Sequence, residues 1–422
     1  MTVAKRCDVL VLGAGFAGLA CALPLVRAGL DVQVLEATDA VGGRVRTDRV
    51  DGFLLERGFQ VLSTAYPEAR RVLDYDRLEL RRFDRAMDLH VDGATIHLAD
   101  PLREPSAMLS TVTAPIGGLR DKMALAAYAA RAAVLPAQSR STAADLSARE
   151  SWRRQGLSDD VVERVLRPFF AGVLLEENMA TSRRFVDLMT RMFVRGHSAI
   201  PAGGMQRMPE QMSAQLPTGV VHLGVRALEL SDDTVHTDKG AWSARAVVVA
   251  TDGGSAAALL PGVVEEPAWK GVTTLYHAAP APPTERATLL VDADSSPVNN
   301  TVVLTAAAPS YSSDGRALVS TSLVHGARRD VADEPTVRRR LAELYRTSTT
   351  DWEHLRTYDV ARSLPTMSAP HPFRKPVRAT SCSGTVYVCG DHRDTSSIQG
   401  ALVSGRRAAE AVRIDLNLPG GE

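Results

Sequence analysis

Several groups of residues in this 422-residue chain have types and spacings suited to chemistry. Gly13-Ala14-Gly15-Phe16-Ala17-Gly18 is a G-x-G-x-x-G run directly after the apolar segment Asp8–Leu12. In such a turn the first glycine permits a tight bend and the second lets backbone approach a pyrophosphate. The third lets a helix pack on the strand, and the helix start offers free N–H groups to phosphate. Glu36 ends the next apolar segment, Asp31–Leu35, eighteen residues after Gly18, where a carboxylate can accept from an adenosine ribose. Gly42-Gly43-Arg44 follows: the glycine pair allows close approach to a ligand, and the arginine can meet its phosphate oxygens. At the far end, Gly390-Asp391-His392-Arg393 comes after the apolar run Thr385–Cys389. His392 there has an ordinary pKa near neutrality and is a candidate acid or base.

These groups need a strand–turn–helix–strand frame. Asp8–Leu12 reads as a strand buried on both faces, and a helix from Phe16 to near Gly29 follows, with Pro24 expected to kink it. From Tyr66 to His197 the pattern changes to a hairpin at Asp92-Gly93 and then helices, the clearest being the alanine-rich Asp121–Leu135. A membrane-lying face for that helix is disfavoured, because Lys122 with Arg131 makes a poor basic face. Val220–Leu223 and Ala246–Ala250 return as strands of the first domain. Between Trp269 and Arg362, VTTLYHAA, TLLVD, TVVLTAAA and ALVSTSLV predict an antiparallel sheet, with Asn299 and Asn300 in a turn. A helix is expected over Glu334–Ser348, and a last one from Ser397 to Val412.

Composition closes off other classes. Forty-nine basic residues balance forty-nine acidic ones, so nothing favours a nucleic-acid partner, and only five of the basic residues are lysines. Cys7, Cys21, Cys382 and Cys389 show neither metal-ligand spacing nor a disulfide framework, and no metal is expected. No apolar run reaches the ~18 residues of a membrane span. The apolar start is broken by Gly13 and Gly15, so it reads as a strand instead of an export signal, and a cytoplasmic protein is expected.

Cys7–Thr47, with its VGGRVRT continuation, resembles the N-terminal signature of the flavin amine oxidase, phytoene desaturase and protoporphyrinogen oxidase superfamily. The resemblance implies FAD as cofactor, and an α/β fold in which a Rossmann-like, glutathione-reductase-like FAD-binding domain carries an inserted α+β substrate domain. The expected division is 1–70, 198–262 and 370–422 for FAD, and 71–197 with 263–369 for substrate. Phe53–Leu62 resembles the element beside the isoalloxazine ring, which implies that Gly58 and Gln60 lie near the flavin. Pro201-Ala202-Gly203-Gly204-Met205 matches a P-x-G-G-M segment of the same superfamily, and Val225 is implied at the adenine. With Gly13, Gly15, Phe16, Ala17, Gly18, Glu36, Ala37, Gly42, Gly43 and Arg44, the implied cofactor set is completed by Gly390, Asp391, Ser397 and Ile398. Phe169, Phe170, Met189, Met192 and Phe193 are implied in an apolar substrate pocket.

Two departures bear on substrate. Amine oxidases of this superfamily commonly carry a lysine on the strand that here reads VTTLYHAA; threonines stand there, and Lys270 precedes the run. The usual aromatic residues over the flavin near the C-terminus are also absent between Gly390 and Gly400. The expectation is therefore hydride removal from an activated C–H of an apolar small molecule, with His392 and Arg393 as candidate polar groups at the flavin. Oxidation of an amine by O2 and a non-redox flavin-dependent isomerisation are the alternatives.

Overall fold

A computed structural model describes residues 4–99, 116–134, 144–231, 233–294, 296–324, 333–379 and 385–417. Leu135, the expected end of the alanine-rich helix, and Cys382 lie outside the described residues.

The strand Lys5–Leu12 organises the first sheet. Val9, Leu10, Val11 and Leu12 are each no more than 1% exposed, so both faces are covered and no polar alternation is needed. It pairs in parallel with Val32–Glu36 on one side and Gly240–Val249 on the other. Val221–Leu223 joins in parallel outside Val32–Glu36, and Val386–Val388 joins in parallel to Gly240–Val249. The latter strand starts six residues before the expected Ala246, because its first half continues into an antiparallel hairpin with Thr234–Thr237. Since the central strands are parallel, the ends at Leu12, Glu36, Leu223, Val249 and Val388 share one edge. That edge is where an open α/β sheet receives a ligand.

The helix Phe16–Arg27 runs through Pro24 and packs on the C-terminal helix Ile398–Asp415. A Cβ on Gly405 would collide with the Ala17 carbonyl, and one on Gly18 with the Gly13 carbonyl. Gly18 thus does the close-packing work that its place in the glycine run predicts.

The second sheet has the order Glu353–Pro365, Trp269–Ala279, Ala317–Val324, Asn300–Val303, Leu289–Asp292, Ala86–Val91, Ala94–Ala99. It is antiparallel except where Leu289–Asp292 pairs in parallel with Ala86–Val91. The hairpin at Asp92-Gly93 therefore extends a sheet completed some two hundred positions later in the chain. TVVLTAAA is not one strand: Asn300–Val303 is extended and Leu304–Ala307 turns helical, as its alanines favour. Helices Leu119–Val134, Arg167–Leu174 and Arg183–Arg195 each contribute side chains to one cavity. Among the described residues no helix is long and apolar enough to cross a membrane.

Candidate functional site

The shared strand edge opens into a continuous cavity of about 1520 Å³. That exceeds the roughly 300–1,000 Å³ of a single small-ligand pocket, so there is room for a cofactor and a second molecule. Its first arm is built by the glycine segments. Gly13 has φ 107°, and its N–H donates to the Leu35 carbonyl at 2.7 Å. A Cβ on Gly15 would meet no atom within 4 Å, and one on Gly43 would sit 3.6 Å from the Gly15 Cα. The two glycines leave an open cradle on the cavity wall, which Phe16, Ala17, Ala37 and Gly42 continue.

Glu36 is buried beside this cradle. One carboxylate oxygen accepts from the Ala14 N–H at 2.8 Å, and the other accepts from the Thr38 N–H at 2.9 Å and its hydroxyl at 2.8 Å. A carboxylate has about four acceptor sites, so one is left for a ribose hydroxyl. The Glu36 carbonyl in turn accepts from the Val225 N–H at 2.8 Å, which fixes Val225 on the same wall.

Arg44 and Asp391 meet from opposite ends of the chain, Nη2 to Oδ1 at 2.6 Å, and Arg44 Nη1 donates to the Ser363 carbonyl at 2.6 Å. Burial works against the Arg44 charge, but Asp391 outweighs it and holds the guanidinium above its ordinary pKa. Ser397 caps the last helix by accepting from the Gly400 N–H at 3.0 Å, so Ser397 and Ile398 present the helix start to the cavity. Gln60 donates from Nε2 to the Arg44 carbonyl at 2.9 Å, while its buried Oε1 has no partner among the described residues.

That orphan acceptor, the Gly15–Gly43 cradle and the unused acceptor site on Glu36 fit a dinucleotide with hydroxyl and N–H donors. The expected cofactor residues are thus brought to one wall, with two exceptions. Gly18 lies behind it, and Gly58 (φ 95°) packs near Val272 and Val360 while its neighbours Phe59 and Gln60 reach the cavity.

His392 and Arg393, the candidate catalytic polar groups, do not line the cavity. The His392 ring lies against Gly390, where an added Cβ would come within 2.6 Å of its Nδ1, and both ring nitrogens lack partners among the described residues. Burial lowers its pKa to about 4, so it is neutral near pH 7. Arg393 Nη2 donates to the Pro376 carbonyl at 2.5 Å, and neither residue lines the cavity. The tight turn after Gly390 sends Asp391 to the cavity and its two successors behind it.

The second arm is largely apolar, with Asp84, Arg85, Asp121, Lys122 and His197 also in the cavity lining. Phe169, Met189, Met192 and Phe193 line it, with the Phe169 and Phe193 rings 5.4 Å apart. Phe170 points into the core against Trp152, at 5.3 Å between centroids, and leaves the pocket set. Leu125, Ala126 and Ala129 supply another wall, and Asn300 is a polar group set within it. Asn300 opens a strand instead of a turn, and its amide occupies the space that a side chain on Gly172 would fill. The signal for Asn300 was its place beside an apolar strand; nothing in the sequence showed which face it would take. Acids on this arm carry structural bonds: Asp84 accepts from the Thr288 hydroxyl at 2.6 Å, and Asp121 from the Gly118 and Ser158 N–H groups.

Lys270 lies inside the strand Trp269–Ala279, opposite Leu364, not before it. Its Nζ is 2.7 Å from Glu176 and donates to the Thr181 hydroxyl at 2.8 Å, and it is not on the cavity wall. Among the described residues no group of three or more His, Cys, Asp or Glu could hold a metal ion.

A glycine-lined cradle at the ends of parallel strands, continuous with a largely apolar arm, defines a flavoprotein of the dinucleotide-binding class. Residues 16–413 match the family described as flavin containing amine oxidoreductase, and the chain belongs to it. The cofactor is FAD. The chain is 31% identical to putrescine oxidase of Kocuria rosea over 272 residues, which cover 58% of this chain and 55% of that protein. It is 27% identical to protoporphyrinogen oxidase 2 of Arabidopsis thaliana over 185 residues, 43% of this chain and 35% of that one. The match thus spans about half the length of the first of these relatives and less of the second. An oxidoreductase structure from Methanosarcina mazei has the same fold, with a TM-score of 0.73 at 17% identity over 96% of this chain and 100% of that one.

Proposed function

We propose that the protein is an FAD-dependent oxidoreductase that removes hydride from an activated C–H of an apolar small molecule. The observation that carries this reading is the continuity of one cavity from the Gly15–Gly43 cradle to the Phe169–Phe193 wall, where aromatic and methionine side chains predominate. FAD, when bound, accepts the hydride and its electron pair. The chain's own part is to position and to exclude water. Phe169, Phe193, Met189 and Met192 hold an apolar body, and Asn300 is one of the polar groups that can orient it. The helix start at Ser397 directs a positive dipole end toward the cavity, which favours negative charge gathered there on reduction. The division into an FAD part of 1–70, 198–262 and 370–422, with 71–197 and 263–369 for substrate, belongs to the same proposal.

Amine oxidation is the second reading, supported by the similarity to putrescine oxidase. Against it stand the aromatic and methionine wall of the second arm and the withdrawal of Lys270 into an ion pair off the cavity wall. Anaerobic mixing of the flavin-loaded protein with isoprenoids, porphyrinogens and amines separates the two. Bleaching of the flavin band by an apolar donor supports the proposal. Bleaching by amines alone overturns it in favour of the second reading.

A further inference from the structure

A second cavity, of about 600 Å³, lies between the helix Arg183–Arg195 and the first turn of Ile398–Asp415. Arginines from three separate segments converge on it: Arg70, the pair Arg191 and Arg195, and Arg374. Arg191 and Arg195 stand four positions apart on one helix, a spacing at which like charges repel. Arg70 gives its Nε to the Thr64 carbonyl at 2.6 Å. Arg70, Arg195 and Arg374 have no carboxylate at ion-pair distance among the described residues.

The nearby acids are already taken. Asp394, on the cavity wall, is held by Arg407 at 3.3 Å and by the Thr395 N–H at 3.0 Å. Glu68 is held by Arg406 at 2.9 Å. Burial holds Arg407 below its ordinary pKa; Asp394 opposes the fall, and repulsion from Arg374 and Arg406 adds to it. Arg70, Arg195 and Arg374 are solvent-exposed, so an anion can reach all three, and the clustered positive charge raises its local concentration.

The rest of the wall is apolar, with Leu188, Met192, Phe373 and Val403. Met192 also lines the large cavity, so one side chain stands between the two. We propose that this cleft is an anion-binding site for a phosphate or diphosphate group carried on an apolar body. Guanidinium forks match phosphate oxygens two at a time, and a multiply charged group suits three arginines with no carboxylate at ion-pair distance among the described residues. The proposal stands apart from the redox reading, so each can fail without the other.

The test is equilibrium binding of inorganic pyrophosphate and of dodecyl phosphate to the FAD-loaded protein at low ionic strength. Saturable binding is expected for both, weakened about tenfold or more in Arg195→Ala/Arg374→Ala with flavin content unchanged. If that variant does not fold, the single Arg195→Gln replaces it, with a smaller loss expected. A shift of the flavin spectrum by dodecyl phosphate but not by pyrophosphate assigns the anion to a molecule reaching past Met192. The same spectrum with both assigns it to a separate ligand confined to the cleft. Absence of saturable binding by either probe, or equal affinity in the folded variants, overturns the proposal.

Discussion

Arg44 and Asp391 stand 347 positions apart in the chain and 2.6 Å apart in the fold. The contact closes the cofactor wall, because one partner follows the second glycine pair and the other follows the last parallel strand. Asp391 is 5% exposed, so removing Arg44 strands a buried carboxylate, whereas removing the acid leaves Arg44 its bond to the Ser363 carbonyl. Arg44→Ala is therefore expected to weaken FAD retention more than Asp391→Asn. Losses of roughly 1.5–3 kcal/mol, about ten- to a hundred-fold in affinity, follow from one charged hydrogen bond. The flavin-to-protein absorbance ratio after dialysis measures it, and equal retention by Arg44→Ala and wild type would contradict the assignment.

Glu56 gives a pH signature. Its carboxylate accepts from the Met205 N–H at 2.9 Å, the Tyr311 hydroxyl at 2.8 Å and the Thr47 hydroxyl at 2.7 Å. Burial nevertheless prevails and raises its pKa from 4.5 to about 7. Between those values the folded protein holds a proton that the unfolded chain has released. Glu56 therefore lowers stability progressively as pH rises from 4.5 to about 7, and no further above that. At about 1.4 kcal/mol per unit the whole effect is ~3 kcal/mol. Glu56→Gln should gain about that much on wild type across the window in urea unfolding, and a pH-independent difference would refute it.

His392 has the opposite sign. Burial lowers its pKa from 6.5 to about 4, with Arg393, Lys375 and Arg44 adding to the fall and Asp391 opposing it. Its contribution to stability is present above pH 6.5 and is lost as pH falls toward 4, because the unfolded chain binds the proton first. His392→Phe, which keeps a flat ring on Gly390, should gain on wild type as the buffer is acidified through that range. The same variant should keep its FAD and reduce it at an unchanged rate near neutrality. A fall of a hundred-fold or more in that rate, on the order of general acid–base catalysis, would restore His392 as the acid or base.

What could be seen in the sequence was whatever backbone geometry demands of a residue type. Gly13, Gly15 and Gly18 were visible because a tight turn, an open cradle and a close helix contact each exclude a side chain. Facing was harder. Phe169 and Phe170 are neighbours, yet successive helical residues differ by about 100° in direction, so one lines the cavity and the other the core. Asp391 and His392 separate in the same way on a turn that periodicity does not describe. Strand pairing was hidden too. Ala86–Val91 announced an extended segment but not its parallel partner Leu289–Asp292, since the pattern of one strand carries no record of its neighbour. The arginines at Arg70, Arg195 and Arg374 come from three distant segments, and only the fold shows them sharing a cleft.

Lys270 permits a last separation between support and chemistry. Its side chain and that of Glu176 are each 9% exposed and meet at 2.7 Å, and burial lowers the lysine's pKa while Glu176 raises it. Deleting one partner of such a pair leaves an uncompensated buried charge, which is destabilising by about 3–5 kcal/mol. Lys270→Met should accordingly lower the urea midpoint sharply. Glu176→Leu added to it should recover most of the loss, because two apolar side chains replace the pair without leaving a charge behind. Reduction of FAD by a bound donor should proceed at wild-type rate in the double variant, as neither residue lines the cavity. A stable double variant whose flavin is no longer reduced would place Lys270 in the reaction and favour amine oxidation over the apolar donor.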